Sequence, residues 1–169
     1  MPTYKNRSGL ATRLATWLAC GFGLGYSPVA SGTVGTLLGL PLAWLMVQAY
    51  GHPLMVPLQL LFCALLVGLA IWCCHLAEAH YRVKDDGRIV ADEYLIFPIS
   101  MIGLPGLWWV YLMAFLTSRI FDITKPPPAR QMERLGGGLG IVADDAMAAC
   151  YALAANHLIY WIVVTKLGG

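Results

Sequence analysis

Charge is what this sequence has least of. Only 12% of its 169 residues are Asp, Glu, Lys or Arg, where a soluble domain carries about 25%. So few charges cannot clothe a surface that meets water on every side, and a water-soluble globule is the first class excluded. The net charge is only +2, which leaves no basic footprint for nucleic acid. Neither C-x-x-C nor H-E-x-x-H occurs, so the common zinc spacings are absent. The five cysteines (Cys20, Cys63, Cys73, Cys74, Cys150) are odd in number and read as buried, reduced thiols. His52 and His157 lack acidic neighbours and read as structural. Residues 1–13 are polar and basic, and no short apolar core with a small-residue cleavage site follows. No cleavable signal peptide is expected.

What the chain has is apolar length. It is 59% hydrophobic, with a mean hydropathy of +0.66. Residues 33–50 and 53–74 are two uncharged runs separated by Gly51-His52-Pro53. Each approaches the roughly 20 residues that cross a bilayer core. Residues 75–91 are polar, and residues 94–117 are apolar again. This third run is either one helix or a hairpin broken at Gly103-Leu104-Pro105-Gly106, a strong turn signal. The basic residues decide. With a hairpin, ten of the eleven Lys and Arg fall on one side of the membrane and only Lys166 on the other. With a single helix, Arg119, Lys125, Arg130 and Arg134 would lie outside. The positive-inside rule favours the hairpin. Its first arm is short, about 18 Å for residues 92–103. Either that helix starts earlier, near Arg88, or its acidic end lies below the headgroups. Residues 146–164 form a last crossing. The expectation is a single membrane-embedded domain over residues 1–169. It is an all-α, polytopic helical bundle with about five crossings and a polar site on the cytoplasmic side. Trp108, Trp109 and Trp161 fit an interfacial aromatic belt.

The nine acids sit between the apolar runs, six of them as adjacent pairs. Asp92-Glu93 and Asp144-Asp145 each abut an apolar run. Carboxylates at the edge of hydrocarbon are expensive, and mark a functional site by default. Capping by Asp92 and Asp144 at helix N-termini is the plain alternative, but it accounts for one acid per helix and not two. Together with Asp122, these acids suit Mg²⁺, which prefers carboxylate oxygens and keeps waters that phosphate oxygens can replace. Arg119, Asp122 and Lys125 recur every three residues, which puts them near one helix face. The plain reading is an interfacial salt-bridge set with snorkelling stems. Beside the other acids it reads as a phosphate clamp, with Arg119 for bidentate contacts and Lys125 as a point charge. The Ser- and Gly-rich segment 27–36 offers hydroxyls (Ser31, Thr33, Thr36) and helix-end amides to an anion. It reads equally as a helix start with its turn. Asp85-Asp86 precede Gly87 and read as solvated turn residues.

Four blocks then resemble a known family. They are Gly-Tyr-Ser-Pro-Val-Ala-Ser-Gly-Thr-Val-Gly-Thr at 25–36, Ile-Val-Ala-Asp-Glu at 89–93, Arg-Ile-Phe-Asp-Ile-Thr-Lys-Pro-Pro-Pro at 119–128 and Gly-Gly-Leu-Gly-Ile-Val-Ala-Asp-Asp at 137–145. In this order they resemble the phosphatidylglycerophosphatase A family over nearly the whole chain. The chain departs from the family pattern after Glu93, where Tyr94-Leu95-Ile96-Phe97-Pro98 follows, and at Ser31-Gly32-Thr33. The resemblance implies a multi-pass enzyme of the bacterial inner membrane, with its active site facing the cytoplasm. It implies a magnesium-dependent hydrolysis of phosphatidylglycerophosphate, a membrane lipid, to phosphatidylglycerol and phosphate. Asp92, Glu93, Asp122, Asp144 and Asp145 are the expected metal ligands. Asp92, Asp122, Asp145, Arg119 and Lys125 are the expected catalytic set, and Ser31, Thr33, Thr36, Arg119, Lys125 and Arg130 the expected phosphate contacts. A phosphatase of another lipid phosphate is the enzymatic alternative. The K-x₆-R-P and P-S-G-H signature of the histidine-dependent lipid phosphatases is absent. A cation-transport protein is the alternative from another class, but the apolar runs offer it almost no polar residue at mid-membrane depth. Whether the chain forms a homo-oligomer is left open by the sequence.

Overall fold

The structure is a computed structural model that describes residues 9–84, 86–132 and 134–167. Among the described residues it contains helices and no strand. Seven α-helices follow in order: α1 Leu10–Ala19, α2 Ser31–Val47, α3 Met55–Tyr81, α4 Ala91–Ile96, α5 Trp108–Thr124, α6 Ala129–Met132 and α7 Gly137–Leu167. Two 3₁₀ segments, Gly21–Tyr26 and Phe97–Met101, extend α1 and α4. The third apolar run breaks where the turn signal lies: Gly103 has φ +78°, and α5 starts only at Trp108.

Several boundaries differ from the sequence reading. Helix α3 does not end at Cys74 but continues to Tyr81, so His75, Glu78 and His80 are helical rather than part of a polar connector. Nothing in that stretch breaks a helix until Arg82, which takes a left-handed conformation at φ +56°. Helix α7 starts at Gly137 and not beside Ala146, so Asp144 and Asp145 lie in its interior. Helix α4 starts at Ala91, not near Arg88. Helix α1 was not foreseen, because it is short and begins in the polar, basic stretch that includes Arg13. Among the described residues, two helices, α3 and α7, are long and apolar enough to cross a membrane. Helix α2 is shorter and apolar, and the arm formed by α4 and its 3₁₀ extension is shorter still. Of the cysteines, four are buried and Cys150 is exposed on α7.

Helix α7 packs along α3 and α5, α1 lies on α3, and α4 is wedged among α2, α3 and α7. The contacts are made of small residues: Ala70, Cys73, Cys74 and Ala77 of α3 and Ala149 of α7 join Ala15 and Ala19 of α1 in one buried cluster. Small side chains let helix backbones approach closely, the usual solution where lipid removes a hydrophobic drive between helices. Large apolar side chains face outward instead, among them Leu65, Ile123 and Leu158.

Ending a helix inside the bundle frees backbone groups, and each needs a partner. Polar side chains supply them around the 3₁₀ break. Gln59 Oε1 accepts from Gly103 N at 2.8 Å, Asn156 Nδ2 donates to Ser100 O at 2.9 Å, and His157 Nε2 lies 2.9 Å from Ile102 O. Thr117 Oγ1 donates to Asn156 Oδ1 at 2.8 Å. The structural reading of His157 thereby gains a definite task.

Candidate active site

Helix α2 carries Gly32 and Gly35 one turn apart, on the side that meets α4. A Cβ at either position would meet the Glu93 carboxylate, and at Gly35 also Val90. The two glycines therefore make the space into which α4 inserts its acids. Asp92 is only 8% exposed. It does not cap α4: the N-cap is Val90, and no side chain caps that end. Asp144 lies seven residues into α7. Capping thus explains neither acidic pair.

On α5, Arg119 Nη1 meets Asp122 Oδ2 at 2.7 Å and lies 3.7 Å from Glu93 Oε1. The same nitrogen donates to Thr36 Oγ1 at 3.3 Å. Lys125 follows the last helical residue and turns into the left-handed region at φ +40°. That turn carries Nζ across to Asp144 Oδ2 on α7, at 2.6 Å. Asp145 and Asp122 are close enough to share a hydrogen bond. Two carboxylates in contact repel unless a proton or a cation sits with them.

These groups border two adjoining spaces. An outer chamber of about 170 Å³ is lined by Ser31, Asp92, Glu93, Asp122, Lys125, Asp144 and Asp145, with Gly87, Ile89 and Ile141 completing the wall. An inner recess of about 20 Å³ is lined by Thr36, Ser118 and Arg119 with the same Asp92, Glu93, Asp122 and Asp145. That volume suits about one water molecule. The larger pool of space and polar groups lies in the outer chamber.

The structure therefore brings together Asp92, Glu93, Asp122, Asp144, Asp145, Arg119, Lys125, Ser31 and Thr36. Thr33 and Arg130 line neither space; Arg130 is exposed on α6. Ser31 does not cap α2, whose N-cap is Ala30 at φ +49°. Its hydroxyl donates to Gly87 O at 3.0 Å, tying the start of α2 to the loop before α4. The sequence reading missed Ser118, whose Oγ is buried without a hydrogen-bond partner. Its spacing was informative, since Ser118 and Asp122 are four apart and share a helix face. Asp85 lies outside the described residues. Asp86 is paired rather than solvated: Arg88 Nε and Nη2 donate to its two oxygens at 2.7 Å each. That pairing holds the Asp86 carboxyl below its usual range.

Five carboxylates face two cations here, a formal excess of three negative charges. A hard divalent cation fits such an all-oxygen donor set. Among the described residues no three acids are already spaced as a ready-made metal site. Arg119 and Lys125 instead hold Asp122 and Asp144.

The sequence model of the phosphatidylglycerophosphatase A family matches residues 17–160. Two curated relatives carry the name phosphatidylglycerophosphatase A. The one from Haemophilus influenzae is 38% identical over 86% of this chain and 89% of its own length. The one from Escherichia coli is 37% identical over 84% of this chain and 81% of its own. A putative phosphatidylinositol-3-phosphatase of Bacteroides thetaiotaomicron is 32% identical over 89% of this chain and 96% of its own. No solved structure matches. With the family model spanning most of the chain and both acidic pairs inside it, the chain belongs to the phosphatidylglycerophosphatase A family.

Proposed function

We propose that the chain is a magnesium-dependent lipid phosphatase of the bacterial inner membrane, which hydrolyses phosphatidylglycerophosphate to phosphatidylglycerol and phosphate. The observation that carries this reading is the carboxylate chamber itself. Acids from three helices border one polar space next to Arg119 and Lys125, and the relatives' names supply the substrate. Membrane embedding is supported by α3 and α7, most of whose apolar windows are not buried in the protein. On this reading the acidic site opens to the cytoplasmic interface. Five crossings would count α2, α3, the short α4 arm, α5 and α7.

Asp92, Glu93, Asp122, Asp144 and Asp145 would hold Mg²⁺. When bound, the ion polarises the phosphoryl oxygens and lowers the pKa of water. The chain's own groups do the rest. Arg119 and Lys125 exchange their carboxylate partners for the oxygens of the terminal phosphate. They neutralise charge that builds up in the transition state. Ser31 and Thr36 offer hydroxyls at the rim and floor of the site. Water attacks phosphorus in line with the lipid oxygen. A carboxylate of the shared wall takes the proton that water loses. The phosphorus–oxygen bond to the lipid breaks, and the departing lipid oxygen is protonated to give the alcohol. Asp92, Asp144 and Asp145 are themselves buried, and charges held away from bulk water interact more strongly.

A second substrate has its own support. The Bacteroides relative bears the name of a phosphoinositide phosphatase, and both lipids present a phosphate monoester on a headgroup. Purified protein in detergent should be offered phosphatidylglycerophosphate and phosphatidylinositol 3-phosphate side by side. The reading expects kcat/KM at least about tenfold higher for the first. A preference for the inositol lipid would overturn the substrate assignment and leave the reaction class intact.

A further inference from the structure

A second cavity lies on the far side of the loop that precedes α4. It has a volume of about 260 Å³ and is walled by α1, the 3₁₀ segment after it and the end of α3. It shares no lining residue with the carboxylate chamber. Its polar groups are Arg13, Thr16 and His80, and its aromatic walls are Trp17, Tyr26 and Tyr81.

Arg13 and Thr16 stand three apart on one face of α1. Arg13 carries no ion pair among the described residues, whereas Arg88, Arg119 and Lys125 each hold a carboxylate. Thr16 Oγ1 is buried with no hydrogen-bond partner. Having no accessible surface, that hydroxyl does not open into the cavity, which leaves Arg13 and His80 as the groups there that can meet an anion. A guanidinium and an imidazole beside aromatic walls suit an anion joined to hydrocarbon. The adjoining face of α1 agrees. Leu10, Leu14 and Trp17 are exposed there, and Phe22, Leu24 and Val29 continue the apolar surface. A helix with such a face lies in the plane of a membrane interface.

We propose that this cavity is a second lipid site, which binds the phosphodiester headgroup and adjoining acyl carbons of an anionic phospholipid. It rests on the membrane reading above but not on hydrolysis. Arg13 holds the phosphate oxygens, His80 adds a donor, and the aromatic walls cover the glycerol and first chain carbons. The site sits against the catalytic one. Arg88 stacks on the Tyr81 ring at 3.8 Å, while its neighbour Gly87 lines the carboxylate chamber and accepts from Ser31. A lipid seated there would brace the loop that both sites share.

Trp17 lines the cavity and supplies the readout. Its fluorescence is taken as the difference between the full chain and its Trp17→Phe variant, both in detergent. Dihexanoylphosphatidylserine should change the signal saturably. Dihexanoylphosphatidylcholine, which lacks the net charge, and glycerol 3-phosphate, which lacks the chains, should each bind at least tenfold more weakly. Arg13→Gln should weaken the serine lipid about tenfold and His80→Ala several-fold, while Lys166→Gln leaves it unchanged. Equal binding of the choline lipid, equal binding of glycerol 3-phosphate, or an Arg13→Gln variant with wild-type affinity would each overturn the proposal. Phosphate release by the unmodified protein is scored separately. A chain that binds the serine lipid but releases no phosphate keeps this site and loses the catalytic reading.

Discussion

Lys125 sits where α5 stops, and its Nζ reaches across to a nearly buried carboxylate, Asp144. A lysine so placed can act as a structural tie or as a phosphate clamp, and the two roles separate experimentally. Lys125→Ala removes a cation beside a buried anion, so the melting temperature in detergent should fall in chelator and recover when Mg²⁺ is added. The activity should not recover: kcat/KM is expected to drop by about 10² or more, the scale of a lost electrostatic stabiliser. A lower melting temperature with full activity per folded molecule would leave only the structural role. Asp86 makes a second, simpler test. Its carboxyl is held below its ordinary range by Arg88, so the pair stabilises the loop above that range and loses its effect as pH falls through the depressed value. Asp86→Asn should therefore melt below wild type near neutral pH, and the two curves should converge in acid. The acids and the Arg119–Lys125 set were legible because few charges interrupt the apolar runs. Asp86 was not, since its partner Arg88 lies only two residues on, a spacing that also describes an ordinary solvated turn. Ser118 stayed hidden although it lies four residues before Asp122 on one helix face, because a lone hydroxyl draws less notice than the charged residues beside it.

At the level of elements, the hairpin of α4 and α5 decides where the acids go. Its turn was readable from Gly103-Leu104-Pro105-Gly106. The side chains that complete it were not, because Gln59 comes from α3 and Asn156 and His157 come from α7. Asn156→Ala should remove the bond to Ser100 O, while Thr117 can still donate to Met113 O. About 1–3 kcal/mol of stability is at stake, read as a lower melting temperature in detergent at unchanged secondary structure. Gly32 tests the opposite wall. A Cβ there would collide with the Glu93 carboxylate and crowd Arg119. Gly32→Ala should thus lower phosphate release far more than stability, since Glu93 can swing away only by leaving the chamber. A variant with wild-type kcat would show that Glu93 has no fixed position to lose. The start of α7 was misplaced for a physical reason. Gly136-Gly137-Gly138 reads as a loop, yet a Cβ at Gly138 would strike Ile71 O and the His75 backbone. Gly138 is there for a close helix crossing, and α7 begins one residue before it, at Gly137.

For the whole molecule, small residues line the contacts among α1, α3 and α7 while many large apolar residues face outward, an arrangement that on the membrane reading suits lipid. The all-helical class followed from the long uncharged runs. The number of crossings did not, because helix length is set by where backbone groups find partners, and α4 ends early against the polar network. The membrane reading expects cysteines placed at Gly87 and Arg130 to react with a membrane-impermeant thiol reagent from the same face. Labelling from opposite faces would separate the acidic pairs and dismantle the chamber. The most direct test of the central claim is phosphate release from phosphatidylglycerophosphate by purified protein, measured with Mg²⁺ and with chelator, for wild type and Asp92→Asn. The account expects turnover with Mg²⁺ alone, abolished by chelator and reduced at least about 10²-fold by the substitution in a protein that remains folded. Undiminished turnover in chelator, or an Asp92→Asn enzyme as fast as wild type, would contradict it.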